Sequence, residues 1–393
     1  MPLSKLPTIM LSLGKGCSFN QETLDLSNDR LTNLYWLEIE TNGFNFSLLN
    51  SVTPRPPVNH LRSFARSSRV KILGGINTNQ FFLSDDKIKP KISSYNLFFK
   101  NGKILQFSAN KRPTIIEQDG KISLLILDAK GKVNIGEERI DWVGSACKNL
   151  NNKNFVVYGS IDIDIKKLSS KNRSRRVIDK KSLKISCSKN QILIGFESVR
   201  GTMVVTKIAR SAYLNNHSFI FKGNFKNLGK IKIGNKIENF EIDGIAFTKE
   251  TNAVSCVLAL PSVKAGFKKN IKKFLLPGPK GQYLVFSDKY IKSWSVVLKT
   301  KNKIIFFIND GNPHIKNEMG LSIIELYDLL LNKFKFDLAF VCDAEQSSKL
   351  CIKREKFFSA YGNMHYLDYS NILKPRKRAL YGRSVPSTLV VYK

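Results

Sequence analysis

Asp343 closes an apolar run, Leu338-Ala-Phe-Val-Cys342, and is followed by Glu345 and then by Ser347-Ser348. A carboxylate at the end of a buried strand is costly unless it has a task or a partner. Loops at strand ends are also where a rigid scaffold places functional side chains. Carboxylates beside hydroxyls suit proton transfer and the gripping of an anionic or hydroxylated ligand. Three more polar groups stand at breaks in other segments: Asn77 after Gly74-Gly75-Ile76, Asp310 before Gly311, and Arg383 before Val385-Pro386. Each has a plain local reading too. Asp-Gly is a common turn pair, Asn readily closes a turn, and Arg383 continues a basic tail that begins at Lys374.

Metal and cofactor chemistry finds little support. The six cysteines, Cys17, Cys147, Cys187, Cys256, Cys342 and Cys351, show no CxxC pair. The four histidines, His60, His217, His314 and His365, show no HExxH or His-x-His spacing. Zinc-type ligand spacing is therefore absent and no metal site is expected. Most of the cysteines read as buried free thiols, with one or two disulfides if the chain is exported. Gly278-Pro-Lys-Gly281 lacks the Ser/Thr and the strand–loop–helix setting of a phosphate loop, so no cofactor is expected.

Charge is the most conspicuous bulk property: 64 Lys plus Arg against 31 Asp plus Glu, a net +33 over 393 residues. It is unevenly placed. Residues 161–190 carry ten basic and three acidic side chains, and residues 261–292 carry eight against one, so each stretch is +7. Residues 1–60 are −1, and residues 309–350, which hold Asp310 and Asp343, are −3. A nucleic-acid module pairs its basic face with a recognition helix, stacking aromatics or zinc fingers, and none is visible, so nucleic acid is disfavoured as a partner. Lysines that alternate with apolar residues, as in Lys230-Ile-Lys-Ile-Gly234, fit the solvent face of half-buried strands. No apolar run approaches the roughly 18 residues of a transmembrane helix, and the first nineteen residues match a secretory signal poorly.

The elements that would position these groups are mostly strands. Period-two or continuous apolar runs predict strands at Lys103–Ser108, Ile122–Leu127, Phe155–Tyr158, Gln191–Phe196, Thr202–Ile208, Ala253–Leu260, Tyr283–Phe286, Trp294–Leu298, Lys303–Ile308, Leu338–Cys342 and Thr388–Tyr392. Two helices are expected, Asn59–Arg66 and Leu321–Lys333. In the second, Ser322 and Glu325 have capping-box spacing, and Ile323, Leu326, Tyr327 and Leu330 form an apolar stripe. The expected class is α+β, a large mixed, mostly β core with a few packed helices.

The order of these segments resembles the phosphodiester glycosidase family, that of the lysosomal uncovering enzyme. Its members show an early Asn-Gly-Gly-Phe-Phe turn, Gly-Leu-Thr opening a helix, Asp-Gly-Gly-Gly-Ser-Ser after a buried strand, and Arg-Pro-Val-Pro near the end. Here the corresponding segments read Ile76-Asn-Thr-Asn-Gln-Phe-Phe82, Gly320-Leu-Ser322, Asp343-Ala-Glu-Gln-Ser-Ser348 and Arg383-Ser-Val-Pro386. The family's Arg-Thr-Ala strand corresponds to Ser293-Trp-Ser295, and Ala344-Glu-Gln346 stands where the family has three glycines. The resemblance spans residues 30–393 and is densest in the last 75. It implies an N-terminal extension over 1–29 and one domain over 30–393, with a basic insertion around 160–290.

On that resemblance the protein is a hydrolase of sugar-1-phosphate diesters in exopolysaccharide or glycoconjugates. Asp343 and Asp310 would be the acid/base carboxylates, Ser347, Ser348 and Arg383 would hold phosphate, and Asn77 would bind the sugar. Side chains in place of the glycine turn would reshape the pocket, so weakened activity belongs to the same expectation. The partner would be a phosphorylated sugar or an anionic polysaccharide, and the resemblance implies an exported or cell-envelope protein. The alternatives are a non-catalytic binder of anionic polysaccharide on the same fold and, second, a nucleic-acid-binding protein.

Overall fold

The computed structural model describes residues 8–26, 30–78, 81–83, 92–94, 97–101, 103–106, 111–144, 155–159, 184–199, 202–213, 217–262, 291–311, 320–344, 348–355, 357–362 and 385–393. A seven-stranded antiparallel sheet runs, in spatial order, Ile9–Gly14, Cys17–Leu26, Arg30–Glu40, Lys303–Asn309, Trp294–Lys299, Leu338–Ala344 and Leu258–Leu260. A five-stranded antiparallel sheet lies against it, ordered Phe357–Gly362, Lys349–Arg354, Ile72–Asn77, Val385–Tyr392 and Asn45–Arg55. Alternation along the strands sends Phe19, Leu37, Phe306 and Phe340 from the first sheet, and Phe46, Ile76, Leu350 and Leu389 from the second, into one shared core.

Each outer face is covered by one helix. Helix α1, Pro57–Ser68, starts on Pro57, whose fixed φ suits the first helical position, and ends on Arg69 in a left-handed conformation. Its Val58 and Leu61 pack on Ile72, Cys351 and Val390. Helix α2, Ile323–Phe334, forms the capping box in full: the Ser322 hydroxyl accepts from the Glu325 amide and the Glu325 carboxylate accepts from the Ser322 amide. Its Ile323, Leu326, Tyr327 and Leu330 cover Trp294, Val296, Phe307 and Val341. The layers thus run helix, sheet, sheet, helix.

The middle of the chain builds a second lobe. An eight-stranded sheet of Thr202–Ala209, Gln191–Val199, Phe219–Asn224, Phe155–Gly159, Glu138–Gly144, Lys130–Ile135, Ile237–Ile242 and Ile245–Phe247 curls into a half-barrel. A bridge between Val204 and Lys236 ties its first strand to the approach of its seventh. Trp142, Phe155, Phe196, Phe219 and Phe240 fill it, together with Ile116 and Ala253 from an adjoining five-stranded sheet.

The α+β expectation is overturned. The fold is mostly β, with two α-helices among the described residues, each only a cover on one sheet face. Strands not foreseen account for the difference, among them Asn45–Arg55, Arg112–Gln118, Glu138–Gly144, Phe219–Asn224 and Lys349–Arg354. Polar residues on their outer faces, and Pro113 and Lys349 within them, break the apolar pattern by which strands are recognised. The expected strand Tyr283–Phe286 lies outside the described residues.

Candidate functional site

Five strand ends meet at one edge of the sheet–sheet sandwich. They are the ends of Ile72–Asn77, Lys303–Asn309 and Leu338–Ala344, and the starts of Trp294–Lys299 and Lys349–Arg354. A chain of hydrogen bonds joins them. Asn77 is fully buried, and its Oδ1 accepts from the Lys349 amide at 2.9 Å, so a side chain takes the place of a ladder carbonyl where the two strands separate. The neighbouring Ser348 hydroxyl donates to the Ser293 carbonyl at 3.3 Å, and the Ser293 hydroxyl donates to the Asn309 carbonyl at 2.5 Å. Asn309 Oδ1 accepts from the Trp294 amide at 3.0 Å, while its Nδ2 donates to the Lys292 and Asp310 carbonyls at 2.9 and 2.8 Å.

Asp310 is fastened from the neighbouring strand. Its Oδ1 accepts from the Asn33 amide at 2.8 Å and the Thr32 hydroxyl at 3.3 Å, and its Oδ2 accepts from Asn33 Nδ2 at 2.7 Å. Burial raises its pKa, and the bonds from Asn33 and Thr32 oppose that rise without cancelling it. Asp343 is buried on the next strand but one. It pairs in register with Ser295, whose hydroxyl donates to the Asp343 carbonyl at 3.2 Å.

Lys349 is the group that sequence reasoning missed. It is 1% exposed, and its Nζ donates to the Gly362 carbonyl at a long 3.4 Å. Burial pushes its pKa down to about 8, with Cys351 and Asp310 opposing the fall. Gly362 itself sits at φ +102°, and a Cβ there would meet Ile308 and the Ser348 carbonyl, so only glycine admits this approach. Opposite Asn77 on the other flanking strand is Thr388. Among the described residues, Asn77 Nδ2 and Thr388 Oγ1 are buried with no hydrogen-bond partner. The available signal for Lys349 was its place directly after Ser348, at the head of Leu350-Cys351-Ile352.

Of the six residues singled out from the sequence, Asn77, Asp310, Asp343 and Ser348 occur at this edge, and Ser347 and Arg383 lie outside the described residues. Ser348 and Asn77 each already serve a structural bond here. Asp310 and Lys349 form an acid and an amine whose pKa values are displaced toward each other. A carboxyl raised and an amine lowered by burial are each suited to proton transfer, and the ammonium form can balance the charge of a phosphate.

No family model and no curated protein matches the chain. Solved structures do. A Burkholderia pseudomallei K96243 protein described as a candidate exported protein aligns over 100% of this chain and 97% of its own, with a TM-score of 0.58 at 12% identity. A hypothetical protein from Synechocystis aligns over 99% of this chain and 67% of its own, at a TM-score of 0.48 and 12% identity. The catalytic domain of zebrafish N-acetylglucosamine-1-phosphodiester α-N-acetylglucosaminidase, auto-inhibited by its pro-peptide, aligns over 98% of this chain and 87% of its own, at 0.40 and 11%. At 12% identity the likeness to the Burkholderia pseudomallei protein is one of fold.

Proposed function

We propose that the protein is a phosphodiester-glycosidase-like hydrolase that cleaves sugar-1-phosphate diesters in exopolysaccharide or glycoconjugates. The observation that carries this reading is the hydrogen-bonded meeting of the Asn77, Ser348 and Asp310 segments at the edge where the Asp343 strand ends. Cleavage of the C1–O bond develops positive charge on the sugar, which the Asp343 carboxylate would stabilise. Asp310 keeps its proton to higher pH than an ordinary aspartic acid and would act as the proton donor. The Lys349 ammonium would offset the phosphate charge, and Asn77 Nδ2 would donate to a sugar hydroxyl. Water adds at C1, so the products are the free sugar and a phosphomonoester.

The reading is tested with an N-acetylglucosamine-1-phosphodiester as substrate. Release of free sugar is expected, with kcat/KM lowered about 100-fold or more in Asp343→Asn. A folded wild type that releases no sugar would overturn it.

A second reading, a non-catalytic binder of anionic polysaccharide, draws on a different observation. Lys132, Lys226, Lys232 and Lys236 are exposed on the curled lobe. In addition, Ala344-Glu-Gln346 replaces the glycines of the resembling family. It keeps the same partner chemistry without turnover.

A further inference from the structure

Cys256 and Cys342 are 86 residues apart in sequence, yet their sulfurs are 3.7 Å apart and both are fully buried. Cys342 directly precedes Asp343. The Cys256 thiol also points to the carbonyl of Thr78, the residue after Asn77, at 3.9 Å. The backbone brings them together: the Val257 amide donates to the Val341 carbonyl at 2.8 Å, and Leu258 pairs with Val341. The Cys256 amide in turn donates to the Pro113 carbonyl of the adjoining sheet. The two sulfurs therefore lie where the second lobe joins the strand that carries Asp343.

We infer that Cys256 and Cys342 are a disulfide-forming pair, closed when the chain folds in an oxidising medium, which staples the Asp343 strand to the entry of the second lobe. The sulfurs need to close by roughly 1.7 Å to reach a bond of about 2.05 Å, a movement that side-chain rotation in adjacent positions can supply. The co-reactant is a low-molecular-weight disulfide such as oxidised glutathione. One cysteine thiolate attacks it, forming a mixed disulfide and releasing one glutathione thiolate. The second cysteine thiolate then attacks the protein sulfur and releases the other. The two protein thiols lose two protons and two electrons, and one glutathione disulfide becomes two thiols. Burial holds the Cys256 thiol far above its ordinary pKa, so the finished fold resists this exchange and the bond forms during folding.

The inference does not depend on hydrolysis, since it reads a covalent bond rather than turnover. The full chain is refolded with oxidised glutathione, and separately with dithiothreitol, then mapped by mass spectrometry without reduction. A linked peptide pair containing Cys256 and Cys342 is expected in the first sample, with native near-ultraviolet circular dichroism and a Tm about 5 °C above the reduced sample. Absence of that linked pair, or a linked protein that fails to regain the native spectrum, would overturn it.

Discussion

A lysine ammonium enclosed at the head of a buried strand must find a counter-charge or give up its proton. Lys349 has a long bond to one carbonyl and the charge of Asp310, and its pKa falls to about 8. The sign of the effect on stability follows. Below pH 8 both folded and unfolded chains hold this proton. Between about pH 8 and the ordinary lysine value of 10.5 the unfolded chain holds more of it, so stability rises with pH. Urea melts of wild type and Lys349→Met across that range should differ by a rise on the order of 3 kcal/mol, present only in the wild type. Parallel curves would mean that Lys349 titrates as an exposed lysine. Asp343 and Asp310 were legible in the sequence because each interrupts or ends an apolar strand. Lys349 was not, because a buried amine and a solvated one look alike in sequence until the strand ahead and the glycine beside it are placed.

At the scale of elements, helix α2 was readable to its cap, since Ser322 and Glu325 act within one turn and need no tertiary partner. What the sequence did not reveal is that Glu325 also meets Arg30 of the adjacent sheet, an ion pair that reaches across 295 residues. Together these partners hold the Glu325 carboxyl below its ordinary pKa despite burial, which pulls the other way. Ser322→Ala should cost about 1 kcal/mol in chemical denaturation, and a loss near zero would show that the capping bond is dispensable. The strands fared less evenly. Lys303–Asn309 holds an unbroken apolar run from Ile304 to Ile308 and was plain, whereas Glu138–Gly144 alternates with charged residues and shows itself only through its partners.

Along the chain, the two +7 stretches are separate from residues 309–350, which hold Asp310 and Asp343 and are net −3. The acidic edge is built by the sandwich, and the exposed lysines of the described residues include a group on the curled lobe. Passage over an immobilised phosphorylated polysaccharide should therefore retain the protein at low salt and release it steeply as salt rises toward physiological strength, through screening of surface charge. Salt-independent retention would point to a different mode of contact. The half-barrel itself was beyond the reach of sequence reading, because closure through a bridge such as Val204 to Lys236 is a long-range event with no local signature.

The central claim is that the edge where Asn77, Asp310, Asp343 and Lys349 gather performs glycosidic cleavage of a sugar-1-phosphodiester. The most direct measurement is release of free N-acetylglucosamine from such a diester by wild type and Asp343→Asn, both confirmed folded by circular dichroism. The account predicts release by the wild type and a loss of about 100-fold or more in the variant. Equal release by the two proteins, or none by either, would contradict it.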